Sequence, residues 1–305
     1  MTRALVVWQW TDGKRGHERQ CEGLLQALAE RRTVEHHLLP VPVSSFKRLC
    51  DVLAGRLPAW RHLPDPDLIV GAGRACTLPV LATRRARGGR AICIMRPQLF
   101  RRCFDLCVIP RHDGVAPDGN VVVTEGPLNP MRPAARRETG LGLLLLGGPS
   151  SHHDWNDDAL FAQLDLVLAA RPDMHWIASD SRRSPSGLGA RLAAWAQIEF
   201  HSHRETAPDW LPALLARAEE AWVSADSVSM IYEALSAGAR VGVLAVPARH
   251  ADRITGIADD LLARGLVMSP HTAPSSSPGA ATVLREAERI ADLILDRWPR
   301  LGADP

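Results

Sequence analysis

The chain has 305 residues, 46% hydrophobic and 23% charged, with a net charge of +2. This is ordinary globular composition. No apolar run approaches the ~18 residues of a membrane span, and no leader-like segment precedes the first apolar strand, so a cytoplasmic protein is expected, with a peripheral place at the inner face of the membrane as the alternative. All six cysteines fall before residue 108, with neither Cys-x-x-Cys nor metal-like Cys/His spacing, which reads as buried free thiols in a reducing compartment.

The small net charge hides an asymmetry. Residues 1–138 hold 22 Lys+Arg against 13 Asp+Glu, or +9; residues 139–305 hold 14 against 21, or −7; the two sum to +2. Two domains are expected: a basic N-terminal one over 1–138 and an acidic C-terminal one over 139–305. A basic half suits an anionic partner, a lipid surface or a phosphorylated acceptor; plain solvation is the alternative. Nucleic acid is not expected, because the basic half lacks interleaved aromatics.

In chain order, Ala4–Trp8 reads as a strand, followed by the polar glycine loop Asp12-Gly-Lys-Arg-Gly-His17 and an amphipathic helix through Leu24, Leu25 and Leu28. Gly13 and Gly16 permit close backbone approach. Lys14, one of only two lysines, sits in this loop. His17 stands at the helix start, where an imidazole titrating near neutrality can serve as a general base; the alternative is that it caps or packs. The loop is neither a Walker A sequence nor a Gly-x-Gly-x-x-Gly dinucleotide turn, which sets aside a nicotinamide-dependent epimerase. Val34–Leu39 is the second strand. Ser45–Trp60 places Phe46, Leu49, Cys50, Leu53, Leu57 and Trp60 at helical spacing between basic residues, either a core-packing helix or a membrane-surface one.

Strands then recur with polar or glycine ends: Pro66–Val70 before Gly71, Gly73 and Arg74; Ala91–Met95 before Arg96; Phe104–Pro110 before His112 and Asp113; Val121–Thr124 after that. Helix Thr77–Arg87 lies among them. A parallel sheet lined with polar groups along one edge is the reading. Residues 131–139 read as a linker.

The second half restarts the pattern. Leu141–Leu146 is a strand ending in Gly147-Gly148-Pro-Ser150, and Trp155–Ala170 is a helix. Met174–Ala178 is a strand running into Ser181, Arg182 and Arg183. Short helix Ala190–Ala196, strand Ile198–His201 and helix Asp209–Ala218 follow. Ala221–Val223, the loop with Ser224, Asp226, Ser227 and Ser229, helix Met230–Ala237, Gly238 and strand Val241–Val246 form one strand–loop–helix–strand unit. The helix dipole, free amides and hydroxyls suit an anion, and Glu233, four residues after Ser229 on the same face, suits the two hydroxyls of a ribose. A capped helix with no ligand is the alternative. Residues 254–257 read as loop, 269–280 as a Ser/Pro-rich loop, and Ala281–Trp298 as a closing helix counted with the second domain. His152, His153 and Asp154 are not expected to bind a metal, because adjacent histidines point to different faces.

Asp12-Gly-Lys-x-Gly-His-x-x-Gln20, Gly71-Ala-Gly-Arg74, Phe104-Asp-Leu with His112-Asp113, Gly147-Gly-Pro-Ser150, Ser181-Arg-Arg-Ser-Pro185 and Asp226-Ser-Val-Ser-Met230 together resemble the mitochondrial fission ELM1-like family, whose bacterial members are described as glycosyltransferases. The resemblance runs in order along nearly the whole chain; Ser184 stands where the family pattern has Thr. It implies an α/β GT-B-like fold, with two Rossmann-like domains facing a cleft and a C-terminal helix closing the fold. It is similar, more remotely, to the enzyme that adds N-acetylglucosamine to lipid-linked murein precursors. By that resemblance His17 would be the base, with Asp12 and Lys14 beside it. Glu233 would accept from the ribose, Ser227 and Ser229 would hold the diphosphate, with Asp226 and Met230 in the same loop, and Gly147, Gly148 and Ser150 would approach the donor. Arg182 or Arg183 would neutralise the leaving diphosphate without a metal, with Ser181 also on the donor side. Gly16, Gln20, Gly73, Arg74, Arg96, His112 and Asp113 would face the acceptor.

Two functions follow as expectations. One is an inverting, metal-independent transferase of the hexosyl or N-acetylhexosaminyl class, using a nucleotide-sugar as substrate, no cofactor, and an anionic or lipid-linked acceptor. The other is a non-catalytic adaptor or membrane-surface scaffold, since the family's plant relatives recruit a dynamin-like protein to mitochondria.

Overall fold

The computed structural model describes residues 3–41, 46, 50, 54–55, 60–271 and 282–303. The basic helix expected over Ser45–Trp60 therefore lies for the most part outside the described residues, as do 272–281. The chain divides into two compact units, residues 1–130 with 285–305, and residues 131–284.

The first unit holds a six-stranded, all-parallel sheet: β1 (Leu5–Thr11), β2 (Val34–Pro40), β3 (Leu68–Ala72), β4 (Arg90–Ile94), β5 (Leu106–Pro110) and β6 (Val121–Thr124), in the order β2-β1-β3-β4-β5-β6. Inner strands such as β3 and β5 read as near-continuous apolar runs because both faces are covered, whereas the edge strand β2 carries Glu35, His36 and His37 and is largely exposed. Along β1, Val7 enters one core with Leu24, Val70, Ile92 and Val108, while Trp8 and Trp10 enter the opposite one with Ile69, Cys93 and Ile109. Cys21, Cys76, Cys93 and Cys107 are buried thiols outside any disulfide, and burial pushes the Cys107 thiol up to about 12; Cys50 and Cys103 are exposed.

The second unit holds a five-stranded parallel sheet: β7 (Glu138–Leu145), β8 (His175–Ser179), β9 (Ile198–His201), β10 (Ala218–Ser224) and β11 (Arg240–Leu244), in the order β11-β10-β7-β8-β9. It is covered in the same way: Leu143, Leu145 and Val223 face one core, Leu144 and Trp222 the other. Fully buried Glu220 accepts from Trp222 Nε1 at 2.7 Å and pairs with Arg240 at 2.5 Å and Arg171 at 3.4 Å.

Two expectations change. The domain boundary moves from 138/139 to Pro130/Met131: Met131 is buried in the second core, and the Ala134 amide donates to the Ala216 carbonyl at 3.0 Å, so the expected linker belongs to the second unit. The closing helix, Glu286–Arg297, belongs to the first unit, because Ala287, Ile290, Ala291 and Ile294 pack with Leu24 and Leu28 of the helix Arg15–Ala29. Residues 254–256 are the expected loop; the helix Ile257–Ala263 that follows, to which the sequence reading assigned no element, is entered at Gly256 without a side-chain cap, which is why no start signal marks it.

Candidate functional site

In each sheet the strand order reverses beside the strand that opens the unit, at β1/β3 and at β7/β10. The crevice outside the carboxyl ends of such strands is where open α/β sheets bind ligands. Each unit carries a polar cluster at that place.

In the first, register sets the geometry. Trp10 lies opposite Gly71, so the loops leaving β1 and β3 run side by side. Both oxygens of Asp12 lie 3.0 Å from His17 Nδ1. The carboxylate accepts the Nδ1 proton, which leaves the lone pair on Nε2. The carboxylate keeps 9% of its surface and the imidazole 20%, so the ring is the more accessible partner. Asp12 also accepts from the Lys14 amide at 3.2 Å, and the exposed Lys14 ammonium stands 3.9 Å away. Gly73 lies against the ring: a Cβ there would collide with the imidazole, and its φ of +80° is itself unfavourable for a side chain. Asp12, Lys14, Arg74, Ala75, Thr77 and Leu78, with Gln98, Leu99 and Phe100 from the loop after β4, line a cavity of 450 Å³. His17 is tied to its wall through Asp12.

The remaining expected acceptor-side residues spread along the same edge. Gln20 is buried, its Nε2 3.5 Å from the Gly16 carbonyl, while its Oε1 has no partner among the described residues. Arg96 at the end of β4 donates to the Asp113 carbonyl at 3.3 Å; His112 and Asp113 follow β5, two strands from Gly73. The sequence reading missed residues 98–100. The signal available was the apolar pair Leu99-Phe100 in a polar loop; both are more than half exposed. It also missed Met95, a non-glycine residue at φ 73° just past β4, the kind of strained backbone that gathers at functional loops.

The second cluster is built differently. Val223 pairs with Leu145, which brings Ser224 and Asp226 beside the Gly147-Gly148 turn. Buried Ser224 accepts from the Gly147 amide at 2.7 Å, and Asp226 Oδ2 from the Gly148 amide at 3.0 Å. Arg183 pairs with the same carboxylate at 2.7 Å and donates to the Gly148 carbonyl at 2.9 Å. A Cβ on Gly147 would collide with Asp226, and one on Gly148 with the backbone of Arg183. These glycines thus admit neighbouring protein groups, and their amides are already bonded. Ser150 Oγ accepts from the His152 and His153 amides at 3.1 and 3.0 Å. Ser181 and Ser184 close their own turn, with the Ser181 amide donating to Ser184 Oγ at 2.8 Å.

What stays accessible is the start of the helix Val228–Ala237, entered at half-buried Ser227 with no side-chain cap. Ser229 is exposed, half-buried Met230 follows it, and half-buried Glu233 lies one turn further on; Arg182 is exposed. Asp226 Oδ1 is buried with no partner among the described residues. The expected divergence of the adjacent histidines holds: His152 Nδ1 meets Asp252 at 2.6 Å, Asp154 pairs with Arg249 at 2.8 Å, and burial holds the His153 imidazole below its ordinary pKa. Among the described residues no helix is long and apolar enough to cross a membrane.

The profile of the family described as "Mitochondrial fission ELM1" matches residues 15–298. No curated protein matches the chain. Among solved structures it is similar to a Listeria monocytogenes protein described as a UDP-N-acetylglucosamine 2-epimerase (TM-score 0.58, 11% identity, covering 97% of both chains). It is similar also to S. aureus MnaA in a co-structure with UDP (TM-score 0.54, 12% identity, covering 98% of this chain and 90% of that one). A third is the spinosyn forosaminyltransferase SpnP (TM-score 0.54, 14% identity, covering 99% of this chain and 100% of that one). At these identities the likeness is one of fold, and the fold is GT-B-like.

Proposed function

The chain belongs to the mitochondrial fission ELM1 family, and from that premise we propose that it is a glycosyltransferase moving a sugar from a nucleotide-sugar to an acceptor hydroxyl, with inversion. The observation that carries the proposal is the His17–Asp12 pair at the strand-order reversal of the first sheet. A carboxylate bonded to Nδ1 fixes the ring and supports the imidazolium formed when Nε2 takes a proton. The acceptor hydroxyl loses its proton to His17 as it bonds to the anomeric carbon, whose bond to the nucleoside diphosphate breaks. Lys14 and Arg74 make the adjoining cavity fit for an anionic acceptor, a phosphate-bearing or lipid-linked one included.

The second unit is the donor side in this reading. The uncapped first turn before Met230, with Ser227 and Ser229, takes the diphosphate. Glu233 accepts from the ribose, and Arg182 offsets the leaving charge in place of a metal. Gly147, Gly148, Ser150, Ser181 and Arg183 take a different role in this reading from the one the sequence suggested: their polar groups are engaged by neighbouring protein groups, Ser224, Asp226, His153 and Ser184 among them, so they shape the site rather than grip the donor.

That same observation favours a second reading, a GT-B-like adaptor without turnover, because a donor site whose glycine amides are internally satisfied has fewer groups left for phosphate. Calorimetric titration with UDP, GDP, ADP, CMP and their sugars, on the wild type and Glu233→Ala, separates the two. Binding of one nucleotide, lost in the variant, supports the transferase. Absence of binding across the panel supports the adaptor.

A further inference from the structure

A cluster outside both sheet-edge sites takes no part in the transferase reading. His152 in the loop after β7 and His250 and Asp252 in the loop after β11 bring three ligand atoms within 4.8 Å of one another. Both rings address a single oxygen: Asp252 Oδ2 lies 2.6 Å from His152 Nδ1 and 3.0 Å from His250 Nε2. The other oxygen, Oδ1, is held by the amides of Ile254 and Thr255 at 2.7 and 2.9 Å. Oδ2 is thereby aimed at the imidazoles, the way outer hydrogen bonds orient a ligating carboxylate.

The loops are themselves tied together. The Asp154 amide donates to the Pro247 carbonyl, and the Arg249 amide to the His152 carbonyl, each at 2.9 Å. The charge of Arg249 is engaged by Asp154.

We propose that His152, His250 and Asp252 form a three-ligand site for a divalent transition-metal ion, zinc being the best match, with a fourth position open to solvent. Two neutral imidazoles and one carboxylate are a common zinc ligand set with an open position. The exposure falls on the right side, since the side chains of His250, His152 and Asp252 keep 56%, 39% and 24% of their surface. Tetrahedral ligands at about 2.0–2.1 Å from zinc stand about 3.3 Å apart, so the His152–Asp252 pair must open by about 0.7 Å, which a side-chain torsion allows. The ion takes the place of the ring protons that now point at Oδ2; these move to the opposite ring nitrogens or to solvent. A bound ion would staple the loop after β11 to the turn after β7. The sequence hid this site because its ligands come from two loops a hundred residues apart, and of the His152-His153-Asp154 run only His152 takes part.

The test is calorimetric titration of the metal-free full-length protein with zinc chloride, paired with visible absorption on adding cobalt(II) chloride. Expected are one ion per chain, cobalt d–d bands without thiolate charge transfer, and at least a tenfold loss of affinity in His250→Ala and in Asp252→Asn. His250 is exposed, and Asn at 252 retains the oxygen that caps residues 254 and 255, so both variants are expected to fold as the wild type does. Three results would overturn the proposal: no binding of either ion; binding unchanged in both variants; or thiolate charge transfer abolished by the double substitution Cys50→Ser/Cys103→Ser, which would assign the ion to the two exposed thiols.

Discussion

The sheets of the two units reverse strand order in the same way and place a polar loop at each reversal, yet the loops spend their polar groups differently. Around Asp12 and His17 the carboxylate and imidazole hold each other and border an open cavity with two cations on its wall. Around Gly147 and Asp226 the amides, hydroxyls, carboxylate and guanidinium are bonded mainly to one another. Topology selects where a ligand can sit, and the hydrogen-bond inventory of the loop decides which groups are left to meet it. The first cluster is therefore expected to govern chemistry and the second to govern stability, with donor contacts passing to the helix start at Ser227.

The sharpest break of this contrast is His17→Ala. Turnover is expected to fall by about 10²–10⁴-fold, the usual worth of a general base, with little change in the thermal midpoint, because the ring is part-exposed. Steady-state rates and calorimetric melting on the same preparation check both halves; a collapse of the midpoint with the rate would make His17 a structural residue. Asp226→Ala is the counterpart. It leaves the buried Gly148 amide without its acceptor and removes the partner of the exposed Arg183 guanidinium, and is expected to cost about 1–3 kcal/mol of stability, read by urea unfolding. Adding Arg183→Ala to Asp226→Ala should cost less than Arg183→Ala does in the wild type, since the pair is already lost.

How far the sequence reached follows the same division. Strands such as Val121–Thr124 and Ile198–His201 were legible to the residue, the first as a β-branched run and the second as an apolar–polar alternation between turn residues. The Asp12–His17 loop was legible because both members lie within one local segment. What was not legible is partnership across distance. Nothing local in Gly148 says that its amide meets Asp226, nor in His152 that its partner is Asp252. The closing helix shows the limit most plainly: Ala287, Ile290, Ala291 and Ile294 announce an apolar stripe by their spacing, and the stripe carries no address, so sequence order assigned it to the unit it follows rather than the one it covers.

That assignment supplies two further predictions. Ile290→Ala, at a fully buried position, is expected to destabilise the first unit by about 2–5 kcal/mol. Hydrogen exchange should report the loss in β1, β3 and the helix Arg15–Ala29, while β7 and β10 keep their protection.

Asp292→Asn is the gentlest probe. Arg31 donates to Asp292 through Nε and, at 2.8 Å, through Nη2, a fork that joins the helices Arg15–Ala29 and Glu286–Arg297. The bond from Arg31 holds the Asp292 carboxyl below its ordinary value of 3.8. A carboxylate whose pKa is lower folded than unfolded stabilises the fold above the unfolded value and loses that contribution as pH falls through the folded one. The carboxylate is more than half exposed, so solvent screening limits the effect to about 0–1 kcal/mol. Near neutral pH the Asn variant should therefore melt slightly below the wild type. The gap should close as the pH drops below about 3.8 and shrink in high salt. A gap that persisted in acid would mean that Asp292 supports the helix pair through something other than its charge.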